Sequence, residues 1–339
     1  MKRAGVIGLG LIGGSIAAGL SKSGWTVIGY DSDPDVLAVA TERQLASIFA
    51  GSIAEVIDGP SDVVIVAVPP KATIEMLSAL RTDKPVMDVS GVKAPVLDVA
   101  GHLSGFVGTH PMAGRETSGP TAASAALFRG ASWVVADGAE PDADTLVVEV
   151  IESLGARVVR MSASDHDAAV ARISHLPQLV AGALLATAID EDGALDLAAG
   201  SFRDLTRVGA SLPIPWVEIL QANAPAVLDS IGVLRERLAL LEAAIVSDDD
   251  TLLGLLSEAR QTRRSLGAPV SAIRVALADQ PGEIAKVGHA LASSEVDVRD
   301  IQMRHAPHGG GGVLTISVRP GEEAALSHAL EHEGLLLVP

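Results

Sequence analysis

Short runs of valine and isoleucine alternate with helix-compatible segments through the first half of the chain. Val63–Val68 is apolar throughout, as is typical of a strand buried on both faces of a parallel sheet. The alternation predicts a mostly parallel, doubly wound α/β sheet, with Ala156–Met161 as the strand that closes it. The other strands expected in this sheet are Ala4–Gly8, Thr26–Tyr30, Pro85–Val89, Gly105–Gly108 and Ser132–Ala136.

The pattern becomes helical between Asp165 and about Leu266. β-Branched runs almost disappear there, and apolar residues recur at helical spacing. Ser164 and Asp167 have the spacing of a capping box, which predicts that the first helix begins beside them. A helical domain this apolar needs a partner surface, so we expect a homodimer.

Strand-like and helix-like runs return after Pro269, which indicates a small α/β module at the end of the chain. The sequence therefore predicts three domains, at residues 1–164, 165–267 and 268–339. The elements expected in the last domain are the strands Val270–Ala278, Val296–Arg304 and Val313–Arg319 and the helices Glu283–Ser293 and Glu322–His332.

Charge and composition narrow the possible partners. The 339 residues carry a formal net charge of −17, which would repel nucleic acid and anionic membranes. No uncharged apolar run approaches the roughly 20 residues that span a bilayer, and no signal peptide is evident, so we expect a cytoplasmic protein without a membrane partner. The absence of cysteine excludes disulfides and thiolate metal sites, and we expect no metal.

A glycine-rich loop joins the first strand to the first helix. Residues 8–13 read G-x-G-x-x-G, in which the first glycine permits a tight turn, the second lets the backbone approach a pyrophosphate, and the third lets helix and strand pack closely. Asp31 ends the second strand, where its carboxylate can bind ribose hydroxyls and would repel a 2′-phosphate. We therefore expect NAD as cofactor, bound by Gly8, Gly10, Leu11, Ile12, Gly13 and Asp31.

Two polar residues follow predicted strands at the edge where such sheets bind ligands. His110 comes after Gly105–Gly108, and Ser90 comes after Pro85–Val89. A neutral imidazole beside a substrate hydroxyl could take its proton while hydride leaves the same carbon. From spacing alone, a histidine that caps a loop is about as good an interpretation of His110.

The chain resembles the prephenate dehydrogenase family over roughly residues 1–266. In that family a nucleotide-binding domain joins an all-helical dimerisation domain, and the cleft between them oxidatively decarboxylates prephenate to 4-hydroxyphenylpyruvate for tyrosine biosynthesis. The resemblance is carried by the glycine loop and by Thr109–Gly119 (THPMAGRETSG), Asp165–Asp167 (DHD), Ser174–Pro177 (SHLP), Phe202–Arg207 (FRDLTR) and Trp216.

The resemblance implies roles for individual residues. His110 would accept the proton of the ring 4-hydroxyl, Ser90 would orient that hydroxyl and the imidazole, and Arg207 would hold a substrate carboxylate. Ser174 and His175 would line the pocket on a helix bent near Pro177. The full set of expected substrate-binding residues is Arg207, Ser174, His175, Gln178, Gly200, Ser211, Arg115 and Glu116.

One residue departs from the family pattern. Prephenate-specific members often read Ser-His-Leu-Pro-His, whereas this chain has Gln178 in the last position. Arogenate carries an ammonium where prephenate has a keto group, and a neutral glutamine could favour it. The alternative substrate is therefore arogenate, which would give tyrosine directly.

The last module resembles an ACT domain, a fold that typically binds amino acids. Asp279, Pro281 and Gly282 form a turn that starts a helix, where free N–H groups could bind an amino-acid carboxylate. Regulation by L-tyrosine is the natural hypothesis, and a dimer-stabilising module without a ligand is the alternative. The expected fold class is thus an α/β Rossmann domain, an all-α dimerisation domain and a small α/β ferredoxin-like (ACT) domain.

Two further functions stay open. Dehydrogenases of other β-hydroxy acids share the glycine loop but usually place a catalytic lysine in the helical domain, and Asp165–Gln178 contains no lysine. A protein that senses NAD and an amino acid without turnover is the non-enzymatic possibility.

Overall fold

The computed structural model describes residues 2–114, 117–191, 193–247, 249–266, 270–305 and 311–338. The chain divides into two compact units between Arg237 and Leu238. The first unit holds the glycine loop and all the residues expected to bind cofactor or substrate. The second holds the small C-terminal module.

A parallel six-stranded sheet forms the centre of the first unit. Its strand order is β3-β2-β1-β4-β5-β6, and every neighbouring pair is parallel. The order reverses between β1 and β4, which is where doubly wound sheets bind their ligands. The strands are β1 Arg3–Ile7, β2 Thr26–Tyr30, β3 Ile48–Phe49, β4 Val63–Val66, β5 Val86–Asp88 and β6 Phe106–Val107, and the helices beside them are α1 Leu11–Lys22, α2 Pro34–Glu42, α3 Ile53–Asp58, α4 Pro70–Ala79 and α5 Ala94–Ala100.

The strands expected at Ser132–Ala136 and Ala156–Met161 both belong to a second, three-stranded sheet, so their assignment to the parallel sheet is wrong. β9 (Arg157–Met161) pairs in parallel with β8 (Ser132–Ala136), and β8 pairs antiparallel with β7 (Thr109–Pro111). β7 continues β6 beyond Gly108, and β8 pairs with that continuation rather than with β6. Helix α6 (Pro141–Ser153) connects β8 to β9. An apolar run marks a buried strand but does not say which strand lies beside it.

The helical segment begins at Ala163, as α7 (Ala163–Val170). Its N-terminal cap is Ser162, whose hydroxyl accepts from the amide of Asp165 at 3.1 Å, so the capping box predicted at Ser164 is wrong. A π-helical turn, Ala171–His175, follows. The later helices are α8 Leu176–Ile189, α9 Gly200–Thr206, α10 Pro213–Ala222, α11 Ala224–Ile245 and α12 Thr251–Ser265.

These helices expose large apolar side chains. By length and composition alone, the stretch Ala163–Ile189 could cross a membrane, and the bent pair α10 and α11 passes the same test. The sequence pattern did not lead us to expect this. Only 22% of the apolar window in Ala163–Ile189 is buried, so much of its surface lacks cover from the described part of the chain. The exposed large apolar side chains on these helices include Ile173, Ile189, Leu205, Ile214 and Leu228.

The C-terminal module is a four-stranded antiparallel sheet with two helices. Its strand order, β11-β12-β10-β13, separates the first two strands of the module by the third, which is the split β-α-β arrangement of ferredoxin-like folds. Val275 and Ile316 are fully buried in its core. The elements are β10 Ser271–Leu277, α13 Glu283–Ser294, β11 Val298–His305, β12 Gly312–Val318, α14 Glu323–His332 and β13 Leu336–Val338, so the predicted elements are confirmed and β13 is added to them.

Candidate active site

The glycine loop leaves space on one side only. Gly8 has φ +93°, and a Cβ there would lie 2.3 Å from the carbonyl oxygen of Ala67. A Cβ on Gly13 would lie 1.8 Å from the carbonyl oxygen of Gly8, whereas one on Gly10 would meet nothing within 4 Å. The loop is therefore packed tightly beneath Gly8 and Gly13 and open above Gly10, as a pyrophosphate requires.

Asp31 holds this loop in place. Its Oδ2 accepts from the amide of Leu9 at 2.7 Å and its Oδ1 from the amide of Asp33 at 2.9 Å. Each oxygen keeps a further lone pair for a ribose hydroxyl. Helix α1 starts at Leu11 without a side-chain cap, so its first amides can bind phosphate oxygens. The loop, the helix start and Asp31 together fit a dinucleotide.

Three side chains of the first unit form a hydrogen-bonded chain. Nδ1 of His110 lies 2.8 Å from Nε2 of His166, and Nδ1 of His166 lies 2.7 Å from Oδ1 of Asp167. His110 comes from β7 and is partly exposed, whereas His166 and Asp167 come from α7 and are buried. We call these three residues the His-His-Asp chain.

The hydrogen bonds of this chain set the tautomers of the two imidazoles when both are neutral. Because an ionised carboxylate can only accept, a neutral His166 donates from Nδ1 to Asp167 and accepts at Nε2. His110 therefore donates from Nδ1 and keeps a lone pair on Nε2. A Cβ on Gly91 would lie 3.7 Å from that Nε2. The second nitrogen of His110 is thus a proton acceptor.

Burial lowers the pKa of His110 well below its usual value, and the neighbouring His166, Lys93 and His175 lower it further. His110 is therefore neutral at physiological pH, and its Nε2 lone pair is available.

Asp167 also ties α7 to the nucleotide-binding sheet. Its two carboxylate oxygens accept from the amides of Lys93 and Ala94, each at 2.8 Å. Its backbone carbonyl accepts from Nδ2 of Asn223 at 2.9 Å. Burial alone would raise the pKa of Asp167, but hydrogen bonds from His166 and the two amides outweigh it and lower the pKa. Asp167 is thus held ionised.

Ser90 belongs to a second buried cluster. Its hydroxyl donates to Oδ2 of Asp88 at 2.5 Å, and that carboxylate also pairs with Nζ of Lys93 at 2.5 Å. Both members of the ion pair are fully buried. Lys93 further donates to the carbonyl of Thr109, next to His110, at 2.6 Å. The described residues show no hydrogen bond from Ser90 to His110, so this cluster supports the His110 segment through Thr109.

Four of the expected substrate-binding residues line one cavity of about 340 Å³, namely Ser174, Gln178, Arg207 and Ser211. Gly114, from the His-Pro-Met-Ala-Gly segment, lines it as well. Among the described residues, Oε1 of Gln178 is buried and has no hydrogen-bond donor.

The remaining expected residues lie elsewhere. His175 is buried behind the cavity, 3.2 Å from Nδ2 of Asn223, and burial lowers its pKa. Gly200 begins α9 and does not line the cavity. Arg115 and Glu116 lie outside the described residues. A π-helical turn lies just before Pro177, near which the helix is predicted to bend.

Sequence reasoning assigned no role to several of these residues. Asp165–Asp167 was noticed only as part of a family motif, and Asp88, Lys93 and Asn223 were not noticed at all. A lysine and an aspartate five residues apart are ordinary in any sequence. Within the described ranges, no group of three or more His, Cys, Asp or Glu side chains is placed to hold a metal ion.

Two family models match the chain in succession. The model described as "Prephenate dehydrogenase, nucleotide-binding domain" matches residues 16–160, and "Prephenate dehydrogenase, dimerization domain" matches residues 162–258. A probable prephenate dehydrogenase of Streptomyces niveus, NovF, is 30% identical over 97% of this chain and 98% of its own length. That alignment includes the C-terminal module.

Solved structures of two named dehydrogenases are among those similar to the chain. Prephenate dehydrogenase from Aquifex aeolicus, solved with hydroxyphenyl propionate and NAD+, has a TM-score of 0.72 and 30% identity, covering 79% of this chain and 99% of that one. Synechocystis arogenate dehydrogenase has a TM-score of 0.69 and 31% identity, covering 78% of this chain and 100% of its own.

Proposed function

This chain belongs to the prephenate dehydrogenase family, and we propose from that premise that its His110 is the base of an NAD-dependent oxidative decarboxylation. The chain is an NAD-dependent oxidoreductase that converts prephenate to 4-hydroxyphenylpyruvate in tyrosine biosynthesis. The observation that carries the role of His110 is its neutral imidazole, held with an accepting Nε2 by the His-His-Asp chain.

The chemistry follows from that lone pair. When bound, the nicotinamide ring supplies the acceptor for the hydride that leaves C4 of the substrate ring. Nε2 of His110 accepts the proton of the 4-hydroxyl as the carbonyl forms, which is general-base catalysis. The ring carboxylate then leaves as CO₂, its bonding electrons complete the aromatic ring, and the C4 oxygen regains its proton as a phenol hydroxyl. Arg207 holds a substrate carboxylate and locally offsets the negative charge of the chain.

An assay of NADH formation with prephenate and with arogenate tests this function. We expect turnover of prephenate that depends on NAD and is weaker with NADP, because Asp31 would repel a 2′-phosphate. If neither substrate yields NADH, the proposed function is wrong. The same assay ranks the two substrates by kcat/KM.

Arogenate is a second candidate substrate, and one observation favours it. The buried Oε1 of Gln178 has no donor among the described residues, and it belongs to a residue that lines the cavity. A buried acceptor without a partner costs about 1–3 kcal/mol, and the ammonium of arogenate could supply the missing donor. A wide preference for prephenate in kcat/KM would rule this out.

Replacing Arg207 with alanine should raise KM roughly 10- to 100-fold with a smaller change in kcat, since a hydrogen bond to a charged group is worth about 1.5–3 kcal/mol. The KM of Arg207→Lys should lie between those of the wild type and Arg207→Ala, because lysine keeps the charge but not the bidentate geometry. Steady-state kinetics measures both. Arg203→Ala, one turn earlier in α9, is the matched control, and an unchanged KM in Arg207→Ala would contradict the role.

Replacing Gly10 with valine should weaken NAD binding roughly 10- to 100-fold, the equivalent of losing about 1.5–3 kcal/mol of contact with a charged phosphate. The valine would fill the open space above Gly10 without a clash inside the protein. Isothermal titration calorimetry measures the Kd. Gly101→Val, at the end of α5, where the nearest atom to a Cβ is 3.8 Å away, should leave it unchanged. Equal affinity in both variants would mean that the cofactor lies elsewhere.

We also propose that the chain is a homodimer. The second family model is a dimerisation domain, and the exposed apolar side chains of α8 to α11 need the cover that a second copy would give. A cytoplasmic location belongs to the same proposal, because the substrate and cofactor are small soluble anions.

The C-terminal module is proposed to be an ACT domain that binds L-tyrosine. Its β-α-β-β-α-β order supports this assignment. Asp279 and Pro281 lie in an exposed turn, and Gly282 follows them with φ +99° as the residue before α13. This turn exposes the first amides of a twelve-residue helix, which suit a carboxylate.

Deleting residues 268–339 should abolish inhibition by tyrosine while turnover without tyrosine persists. The measurement is the rate of NADH formation at increasing tyrosine concentrations for the full chain and the truncated one. Inhibition of equal strength in both would place tyrosine in the active site, and no inhibition of either would favour a module that only stabilises the dimer.

A further inference from the structure

The proton that leaves the substrate hydroxyl needs a stable position until the phenolate oxygen, formed by the loss of CO₂, takes it back. Nε2 of His110 is placed to receive it, but burial and the neighbouring His166, Lys93 and His175 hold the pKa of His110 well below its usual value. An imidazolium at His110 is therefore unfavourable. A base that accepts a proton but cannot keep it works best when it can pass a proton on.

The His-His-Asp chain offers such a path. His110 donates its Nδ1 proton toward Nε2 of His166 across 2.8 Å, which is hydrogen-bond distance. His166 is 1% exposed and in turn contacts the carboxylate of Asp167 at 2.7 Å. A proton moved to His166 would thus form a buried ion pair with a carboxylate that two backbone amides already hold in place.

We propose that His166, paired with Asp167, holds the substrate proton between hydride transfer and loss of CO₂, and that His110 relays it there and back. The O–H bond of the substrate breaks as Nε2 of His110 gains the proton. The Nδ1–H bond of His110 breaks as Nε2 of His166 gains that second proton. In this intermediate state His110 is neutral with its proton on Nε2, and His166 is an imidazolium beside the Asp167 carboxylate. When the loss of CO₂ leaves a phenolate oxygen at C4, both transfers reverse and that oxygen regains its proton.

The charges around His166 are compatible with an imidazolium at this position. Asp167 directly stabilises the imidazolium. The positive charge of Lys93 opposes it, but Lys93 is paired with Asp88 at 2.5 Å. His175 also opposes it, but burial lowers the pKa of His175 and so reduces its positive charge. His166 acts on the substrate only through His110 and is therefore a positioning residue. The relay rests on the proposed function.

The first test is His166→Gln. The amide oxygen of glutamine can accept from Nδ1 of His110 and keep its orientation, but it cannot take up a proton. We expect kcat to fall roughly 10- to 100-fold, within the range of acid–base contributions, while KM and the Kd of NAD stay within about twofold of the wild-type values. The control is His289→Gln, an exposed histidine, which should leave kcat unchanged. A kcat within threefold of wild type in His166→Gln would overturn the relay.

The second test uses His166→Ala with added azoles. Imidazole should restore turnover at least tenfold better than pyrazole, which has nearly the same shape but is a much weaker base. Equal rescue by both would show that His166 only fills space and would overturn the proposal. Circular dichroism checks that this variant folds, and if it does not, His166→Gln decides the matter.

The two proposals can fail separately. If no substrate is turned over, or if His110→Asn stays active, the proposed function is wrong. If the wild-type chain turns over its substrate, His110→Asn is inactive and His166→Gln is not impaired, only the relay is wrong.

Discussion

His110→Asn is expected to lower kcat by about 10²- to 10⁴-fold, the usual contribution of a positioned acid–base group. The amide of asparagine can replace Nδ1 as donor to His166, but it has no atom in the place of Nε2. The proton of the substrate hydroxyl then has no acceptor at the moment hydride leaves. NADH formation under saturating substrate measures kcat, and calorimetry measures the Kd of NAD.

Cofactor affinity separates a chemical role from a structural one. NAD binding should be unchanged in His110→Asn, because the glycine loop and Asp31 make no hydrogen bond to His110 among the described residues. His289→Asn, at a side chain that is 75% exposed, is the matched control and should keep full activity. If His110→Asn retains more than about a tenth of the wild-type kcat, His110 is not the base.

Lys93→Met is expected to destabilise the protein by about 3–5 kcal/mol, because it removes one partner of a fully buried ion pair. Asp88 would keep a buried charge without its cation, and the support that Lys93 gives to the carbonyl of Thr109 would be lost as well. Burial lowers the pKa of Lys93 while Asp88 opposes that shift, so the pair depends on both members. Urea unfolding, followed by circular dichroism, measures the change.

Matched variants test this interpretation. Lys22→Met, at an exposed position in the last turn of α1, should change the free energy of unfolding by no more than about 0.5 kcal/mol. The double variant Asp88→Leu/Lys93→Met should recover part of the loss, since replacing both members of a buried pair with apolar groups is often tolerated. A loss below about 1 kcal/mol in Lys93→Met would show that the pair contributes little.

Local features of the sequence were enough to predict the nucleotide-binding part of the fold. The signals are the glycine spacing, the strand runs and Asp31, and all of them lie within about thirty residues. Each depends on steric or electrostatic effects between residues that are close in the sequence. The family, the reaction and the cofactor are confirmed. The roles of His110, Arg207 and the other site residues stay predictions.

The pairing of distant elements could not be predicted in this way. His110 and His166 are 56 residues apart, and the amide of Lys93 meets Asp167 across 74 residues. Neither pairing has a local signal, because Asp167 contacts backbone amides that every residue possesses. The assignment of β9 to the wrong sheet has the same cause, since apolar runs do not specify their neighbours.

The π-helical turn Ala171–His175 has a consequence for how this site can change over evolutionary time. It lies between Asp167, whose carboxylate holds the nucleotide-binding sheet, and Gln178, which lines the cavity. Each residue of an α-helix rotates the chain by about 100°. Losing one residue in this turn would swing the cavity-lining residues of α8 about a quarter of a circle while Asp167 stayed fixed. Single-residue deletions here should therefore be tolerated far less well than substitutions.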